Sequence, residues 1–255
     1  MEQRTHHKRA YFSAGELVLW LGSLALIVAA FCIWDRRGFL TLAASLIGVT
    51  SLIFCAKGNP VGQVLIIVFA VLYGILSWRV AYYGEMITYL GMTAPMAVWA
   101  LIAWLRNPFA GRRSEVRVNT LRAREVFLIC AATVAVTVAF YFILRALRTA
   151  NLIPSTVSVT TSFLAVCLTA RRSPFYALAY AANDGVLVVL WALPAAEDIS
   201  CLSVVICFAV FFFNDLYGFF NWMRMRRRQE KALSKKTASE NNRTPSLSPD
   251  RDDKN

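Results

Sequence analysis

The chain has 255 residues, of which 58% are apolar, and its mean hydropathy of +0.52 is typical of polytopic membrane proteins rather than soluble domains. A net charge of +12 would suggest a nucleic-acid partner for a soluble protein, but these basic residues cluster between apolar runs, so no such partner is expected. Both histidines precede residue 10, and the six cysteines are scattered without a C-x-x-C pair. We therefore expect no metal site, no disulfide framework and no cofactor.

The apolar runs predict eight membrane-spanning helices, because each is close to the roughly 20 residues that cross a bilayer. The first run is longer than the apolar region of a signal peptide and no A-x-A cleavage site follows it, so we interpret it as span 1. In chain order, the predicted spans are Leu17–Ile33, Phe39–Cys55, Val61–Ala81, Met86–Leu105, Val126–Leu144, Pro154–Thr169, Phe175–Leu193 and the apolar part of Ile199–Arg228. A turn is predicted at Tyr83–Glu85, and Pro95 predicts a kink in span 4.

The segments between the spans are strongly asymmetric in charge. A basic leader covers residues 1–13, a polar loop with six arginines covers 106–124, and a polar tail that we expect to be disordered follows Gln229. Eight spans place both chain ends on one side of the membrane, and most Lys and Arg residues lie on that same side. The positive-inside rule therefore predicts a multi-pass protein of the inner or plasma membrane with both termini in the cytoplasm.

Weak internal similarity predicts a duplicated unit. Trp78 follows the proline that opens span 3 by 18 residues, and Trp191 follows the proline that opens span 7 by 17 residues. The next spans end in Trp104-Leu105-Arg106 and Trp222-Met223-Arg224. This pairs spans 2–4 with spans 6–8 as a parallel repeat. A rival pairing of Leu72-Tyr73-Gly74 with Leu216-Tyr217-Gly218 would relate oppositely oriented spans.

Span 8 carries polar residues where a membrane-spanning helix is expected to be apolar. Asn214, Tyr217 and Asn221 share one helical face, and Asp215 lies a quarter-turn away. Such residues can bond neighbouring helices together. However, an intramembrane carboxylate costs about 2.5–3.5 kcal/mol on insertion scales, so it normally faces a bundle interior or a wet cavity. Helix packing and a solute site are both open, and the solute site is our hypothesis.

Span 7 supports that hypothesis with a second polar face. Tyr176, Tyr180 and Asn183 share this face, and Asp184 lies beside it. Asn183 is nine residues beyond Pro174, which is near mid-membrane at a rise of about 1.5 Å per residue. Amides and phenols offer hydrogen-bond donors and acceptors without net charge, and aromatic side chains offer flat faces. The pattern predicts a site for a neutral or singly charged polar molecule with an aromatic ring.

Enzyme signatures are absent from the sequence. It contains no G-x-x-x-x-G-K-[ST], no H-E-x-x-H and no G-x-S-x-G, and no acid–base pair has a suitable spacing. We therefore expect neither an enzyme nor a pump that is driven directly by ATP.

Three motifs resemble the nicotinamide riboside transporter family, often called PnuC: N-D-L-Y-G-F-F-N-W at Asn214–Trp222, G-N-P-V-G-Q at Gly58–Gln63, and Tyr-Gly-Glu at 83–85. The resemblance covers about residues 38–229. It implies an all-α fold of two parallel three-helix bundles joined by a connecting helix, as in SWEET sugar transporters, with span 1 as an extra helix. It also implies a homotrimer in the lipid bilayer, facilitated diffusion, and a cytosolic kinase that traps the imported product.

The resemblance divides the chain into five parts: 1–37 (basic N-terminus and extra helix), 38–105 (first bundle), 106–148 (cytoplasmic loop and connecting helix), 149–228 (second bundle) and 229–255 (disordered tail). It also carries residue roles. Tyr217 and Asn221 match residues that face the nucleoside in the family, and Asn183 and Gln63 match an asparagine and a glutamine of the two bundles. Family members stack the pyridine ring on a mid-membrane tryptophan, whereas this chain has Leu187 there and Trp191 one turn further out.

The predicted substrate-binding residues are Gln63, Asn183, Asp184, Trp191, Asn214, Tyr217 and Asn221. The function that this implies is import of nicotinamide riboside, a pyridine nucleoside. Thiamine and riboflavin are alternative substrates, because relatives carry them and the expected tryptophan is missing. A membrane sensor or assembly partner that transports nothing is the alternative of a different class.

Overall fold

The computed structural model describes residues 11–79, 82–149 and 151–241. Residues 1–10 of the basic leader, residues 80 and 81 at the predicted end of span 3, and residues 242–255 of the tail lie outside the described residues. Eight helices in the described part are long and apolar enough to cross a membrane, as predicted. They are Ala14–Trp34, Phe39–Ala56, Val61–Arg79, Tyr83–Leu105, Ala123–Ala146, Leu152–Ala170, Phe175–Ala195 and Ile199–Ser239, and are called spans 1 to 8.

Span 8 differs from its prediction at its far end. After a 3-10 turn at Ile199–Cys201, its α-helix runs from Leu202 to Asn241, so residues 229–241 are helical where the sequence predicts disorder. Gln229 explains the extension, because its side chain is buried rather than solvated. Its Nε2 donates to Val116 O at 3.0 Å, and its Oε1 accepts from Val118 N at 2.9 Å. These bonds fix the helix to the loop between spans 4 and 5.

That loop contains two short antiparallel strands, Pro108–Phe109 and Arg112–Val116. The turn residues Ala110 and Gly111 have φ values of 50° and 74°, and two positive φ values are the requirement of a tight type I′ hairpin. Val116 is fully buried, and its N–H donates to Gly58 O at 2.9 Å. The predicted polar loop is therefore a hairpin that docks against the turn between spans 2 and 3.

Span 4 is not a uniform α-helix. It consists of an α-helix at Tyr83–Ile87, a π-helical segment at Thr88–Thr93 and an α-helix at Ala94–Leu105. The predicted disturbance at Pro95 takes the form of this π-helical segment, because proline provides no N–H to the preceding turn. Tyr83–Glu85, predicted as a turn, forms the first turn of the helix instead, and Glu85 is buried there.

Six of the spans form a closed ring. Span 3 packs between spans 2 and 4, span 7 packs between spans 6 and 8, and contacts of span 2 with span 8 and of span 4 with span 6 complete the ring. Spans 1 and 5 lie outside it. Span 1 packs against spans 2 and 8, and span 5 packs mainly against span 6. Only Thr133 and Leu144 of span 5 are buried, so its apolar surface faces outwards.

The two closing contacts of the ring use the same hydrogen bond. Trp104 Nε1 on span 4 donates to Thr169 O on span 6 at 3.0 Å, and Trp222 Nε1 on span 8 donates to Cys55 O on span 2 at 2.8 Å. Thr169 and Cys55 each lie five residues before the proline that precedes the next span. The two indole rings are themselves in contact, with centroids 5.4 Å apart. Both tryptophans are buried in the ring.

Candidate functional site

A small cavity lies at the centre of the ring, and we call it the central cavity. Its volume is about 50 Å³, which holds only a few water molecules and is well below the roughly 300–1,000 Å³ of most small-molecule sites. From spans 2–4 it is lined by Ser51, Leu52, Cys55, Ile66, Phe69, Tyr89 and Thr93. From spans 7 and 8 it is lined by Tyr176, Tyr180, Asn183, Asp184, Phe208, Phe211 and Asp215.

Two aspartates face each other in this cavity. Asp184 on span 7 and Asp215 on span 8 are about 4% and 5% exposed, and both line the cavity. No N–H or O–H group of the described residues donates to Asp184 Oδ2. No Lys, Arg or His side chain lines the cavity. A negative charge on the pair would therefore have no basic neighbour in the lining.

Asn183 joins span 7 to span 6 and also lines the cavity. Its Oδ1 accepts hydrogen bonds from Thr161 Oγ1 at 2.8 Å and Ser162 Oγ at 3.0 Å, with Ser158 Oγ at 3.4 Å. Because the oxygen is occupied by span 6, the amide N–H groups are what this side chain has left to offer a ligand.

Aromatic rings form most of the remaining wall. Phe69 makes edge contacts with Tyr89 and Phe211, with ring centroids 5.9 Å and 5.6 Å apart. Tyr176 and Tyr180 stand on span 7 at a centroid distance of 6.2 Å. Tyr89 belongs to the π-helical segment of span 4, which places its ring against the cavity. Rings next to carboxyl groups suit a flat polar ligand.

Only two of the seven predicted site residues, Asn183 and Asp184, line the central cavity. Gln63 is buried behind it, where its Nε2 contacts Cys55 Sγ at 3.4 Å. Trp191 is buried in an adjoining aromatic cluster, and its Nε1 donates to the Tyr73 hydroxyl at 2.5 Å. In this conformation these two side chains support the wall rather than form it.

The polar stripe of span 8 faces away from the cavity. Asn214 Nδ2 donates to Ser23 Oγ on span 1 at 2.9 Å. The Tyr217 hydroxyl donates to Glu16 Oε1 on span 1 at 3.1 Å, and Asn221 Nδ2 donates to Ala56 O on span 2 at 2.8 Å. The stripe therefore bonds span 8 to spans 1 and 2, which was the packing alternative. The predicted site residues do not converge on one cavity in this conformation.

The neighbouring stripe of span 8 faces the cavity instead. Phe208, Phe211 and Asp215 have the spacing of one helical face, and all three line the cavity. The sequence carries a signal for Asp215, since it is a carboxylate within a membrane-spanning helix, but the predicted set omitted it. The lining residues Tyr176 and Tyr180 were also omitted, although they share the predicted polar face of span 7.

A second, open space lies at the end of the ring next to the start of span 1 and the second half of span 8. We call it the terminal cleft. Its volume is about 430 Å³. It is lined by Tyr11, Glu16, Lys57, Arg112, Ser114, Glu115, Asn221, Arg224, Met225 and Arg228. Basic residues outnumber acidic ones in this lining, and both acids are paired. Lys57 Nζ lies 2.9 Å from Glu16 Oε2, and Arg228 Nη2 lies 2.5 Å from Glu115 Oε1.

Local sequence explains how the cleft is built. Ser13 and Glu16 form a capping box that starts span 1, with Ser13 N donating to Glu16 Oε2 at 2.7 Å. The same carboxylate then receives Lys57 from the turn after span 2. Burial raises the pKa of the Tyr11 phenol, which accepts a hydrogen bond from Asn59 Nδ2 at 2.7 Å. Span 1 is thereby attached to the ring at the rim of the cleft.

Comparisons with known proteins identify the chain's relatives. The sequence model of the nicotinamide mononucleotide transporter family matches residues 38–224. The nicotinamide riboside transporter PnuC of Neisseria mucosa is 24% identical over 223 residues, which cover 86% of this chain and 83% of that protein. The crystal structure of the vitamin B3 transporter PnuC superposes with a TM-score of 0.75 and 22% identity, covering 86% of this chain and 94% of that one. This chain is a multi-pass membrane protein and belongs to the nicotinamide mononucleotide transporter family.

Proposed function

We propose that the chain imports nicotinamide riboside across the cell membrane by facilitated diffusion. The observation that carries this proposal is the central cavity, which is enclosed by the ring and combines carboxyl, amide and aromatic groups. The relative from Neisseria mucosa is named as a transporter of this nucleoside. The aromatic ring and the hydroxyl groups of this vitamin match the chemistry of the groups that line the cavity.

We propose that the ring consists of two parallel three-helix bundles, 38–105 and 149–228. Residues 106–148 would supply the loop and connecting helix, and residues 1–37 the extra N-terminal helix. The pattern of contacts supports this, since the packing of span 3 with spans 2 and 4 has its counterpart in the packing of span 7 with spans 6 and 8. The matched bonds from Trp104 to Thr169 and from Trp222 to Cys55 relate the two halves in the same way.

The proposed mechanism is alternating access by rocking of the two bundles. The central cavity is too small for a nucleoside in this conformation, so substrate binding requires the bundles to move apart. Asn183 and Asp184 would contact the substrate directly. Gln63, Trp191, Asn214, Tyr217 and Asn221, which were also predicted to bind substrate, would reach it only after such a movement. No enzymatic step and no ATP are required.

The wider setting is proposed from the family. Both termini would be cytoplasmic, so the terminal cleft would open to the cytoplasm, and three copies would assemble in the bilayer. A cytosolic kinase would phosphorylate the imported nucleoside and keep its free concentration low. The excess of basic residues on the terminal side supports this orientation.

The test is uptake of labelled nicotinamide riboside by a bacterial strain that lacks its own importer. We expect uptake that saturates and requires expression of the chain. Thermal unfolding of the purified protein with nicotinamide riboside, thiamine and riboflavin identifies the ligand, because only binding to the folded state raises Tm. An increase in Tm with thiamine or riboflavin, but not with nicotinamide riboside, would show that the substrate is one of those two vitamins instead. No stabilisation and no uptake would favour a membrane sensor or assembly protein.

A further inference from the structure

The acidic pair lies in a cavity whose lining contains no basic group that could balance a negative charge on it. Asp184 and Asp215 line the same small buried cavity, and two neighbouring carboxylates repel each other, so the pair holds at least one proton. With one shared proton the pair carries a single negative charge. Both side chains are at least nine-tenths buried, and no basic residue lines the cavity. Keeping such a charge in a membrane interior is costly unless a partner compensates it.

We infer that the Asp184–Asp215 pair is a recognition site for a monovalent, positively charged aromatic ring. This inference rests on the proposed function and narrows its substrate class, because the pyridine ring of nicotinamide riboside is cationic. The site selects the charge of the ring as well as its shape. Neutral ring compounds of the same size are then poor ligands of this chain.

The surroundings of the pair fit a cationic ring in two ways. Phe69, Phe208 and Phe211 bring aromatic rings to the same cavity, and aromatic faces attract cations. Asp184 Oδ2 receives no hydrogen bond from the described residues, so this oxygen is available to the ligand. Asn183 N–H groups adjoin the pair and suit the neutral polar part of such a ligand.

No other group in contact with the cavity supplies the balancing charge. The titratable side chains that face the pair or lie next to it are Cys55 on span 2, Tyr89 on span 4, Tyr176 and Tyr180 on span 7, and Cys207 on span 8. All of these are neutral at pH 7 in their ordinary state. Glu85 lies near Tyr89, outside the lining of the cavity, and is itself an acid, so it cannot balance a negative charge on the pair. The pair therefore depends on protons or on a ligand for its neutralisation.

Protons compete with the cation for this site. A further proton makes the pair neutral and removes its attraction for a cationic ring. Binding of the cation should therefore weaken as the pH falls, by up to about tenfold in Kd per pH unit, because one proton competes with one cation. Binding of a neutral ring should not follow this dependence.

The experiment measures binding of two ligands to the purified full-length protein by calorimetry between pH 6.5 and 8. One ligand is nicotinamide riboside, and the other is its 1,4-dihydro form, which keeps the ribose and the amide but has a neutral ring. At pH 8 we expect the native protein to bind the cationic ligand at least tenfold more tightly than the neutral one, which corresponds to about 1.4 kcal/mol. In the double variant Asp184→Asn/Asp215→Asn the two affinities should become equal and independent of pH.

Glu85→Gln is the matched control, since it neutralises a buried carboxyl group that does not line the cavity. It should keep the preference for the cationic ring. Equal affinities of the native protein for both ligands would overturn the inference while leaving the proposed function intact. Binding of neither ligand would overturn the proposed function itself. If the double variant does not fold, the two ligands and the pH series on the native protein still decide.

Discussion

The two halves of the ring, spans 2–4 and spans 6–8, place different chemistry at matching positions. Phe69 and Asn183 each lie nine residues after the proline at the start of their span, and both line the central cavity. Gly48 and Ser162 each lie twelve residues before those prolines. Ser162 donates to Asn183, whereas a Cβ on Gly48 would lie only 3.0 Å from the Phe69 ring. Ser162 thus offers a hydroxyl donor to the Asn183 amide, and Gly48 leaves room for the Phe69 ring.

Under the proposed function, this difference implies that the two halves would contribute differently to substrate recognition. The half formed by spans 2–4 contributes no charged group to the cavity lining, and its aromatic rings supply flat apolar contacts. The half formed by spans 6–8 contributes both acids and the amide. The carboxyl and amide groups of the lining are therefore concentrated in one half of the ring.

The largest expected effect comes from substituting, one at a time, the two lining residues at matching positions, Asn183 and Phe69. Asn183→Ala should lower uptake of nicotinamide riboside at least tenfold, because it removes a polar contact and leaves the hydroxyl groups of span 6 without their acceptor. Phe69→Leu should lower uptake only a few-fold, because most of the apolar contact remains. Initial uptake rates, normalised to the amount of protein in the membrane, measure both variants.

Asn221→Ala is the control for this comparison, because Asn221 lines the terminal cleft and not the central cavity. Its uptake should fall less than that of Asn183→Ala. A greater loss in Phe69→Leu than in Asn183→Ala would reverse the division of roles between the two halves. A greater loss in Asn221→Ala would mean that the terminal cleft matters more for uptake than the central cavity.

An intermediate effect is expected at Gly48. In Gly48→Ala the new methyl group would overlap the Phe211 ring at 2.4 Å and press on Phe69, so both rings have to shift. Overpacking of this kind costs about 1–3 kcal/mol. SDS-induced unfolding in mixed micelles measures the change. Gly185→Ala is the matched control, since nothing lies within 4 Å of its new Cβ. Equal stability of the two variants would show that the rings are not held as described.

The smallest effect tests the likeness of the halves rather than their difference. Trp104→Phe and Trp222→Phe each remove one N–H donor to a backbone carbonyl, and each should lower the free energy of unfolding by about 1 kcal/mol. Trp78→Phe serves as the control, because Trp78 is 62% exposed and should change stability little. Clearly unequal costs at residues 104 and 222 would contradict an equivalent role for the two bonds. The same unfolding assay applies to all three variants.

Hydropathy and charge were sufficient to predict the eight spans, because length and apolar composition are local properties. Apart from the far end of span 8, the predicted ends agree with the structure within a few residues. The extension of span 8 was missed because residues 229–241 are polar, and their order depends on the contact of Gln229 with a distant loop. The hairpin at 108–116 is similarly stabilised by non-local contacts at Val116.

The site was predicted only in part, because composition does not decide which face of a helix points inwards. On span 8 two adjacent stripes are both polar, one with Asn214, Tyr217 and Asn221 and the other with Asp215. The first stripe faces span 1 and the end of span 2, and the second faces the cavity. On span 7 a single polar face exists, and its residues Asn183 and Asp184 line the cavity, while their role in substrate binding stays a prediction.

The docked hairpin has a mechanical consequence. Through Val116 it is bonded to the turn at Gly58, and through Gln229 it is bonded to the last span, so one short segment bridges both sides of the molecule at this face. Separating the two sides here means breaking these bonds together or carrying the hairpin along with one side. In the proposed rocking of the two bundles this bridge would act as a pivot, and substitution of Gln229 by Ala would loosen it.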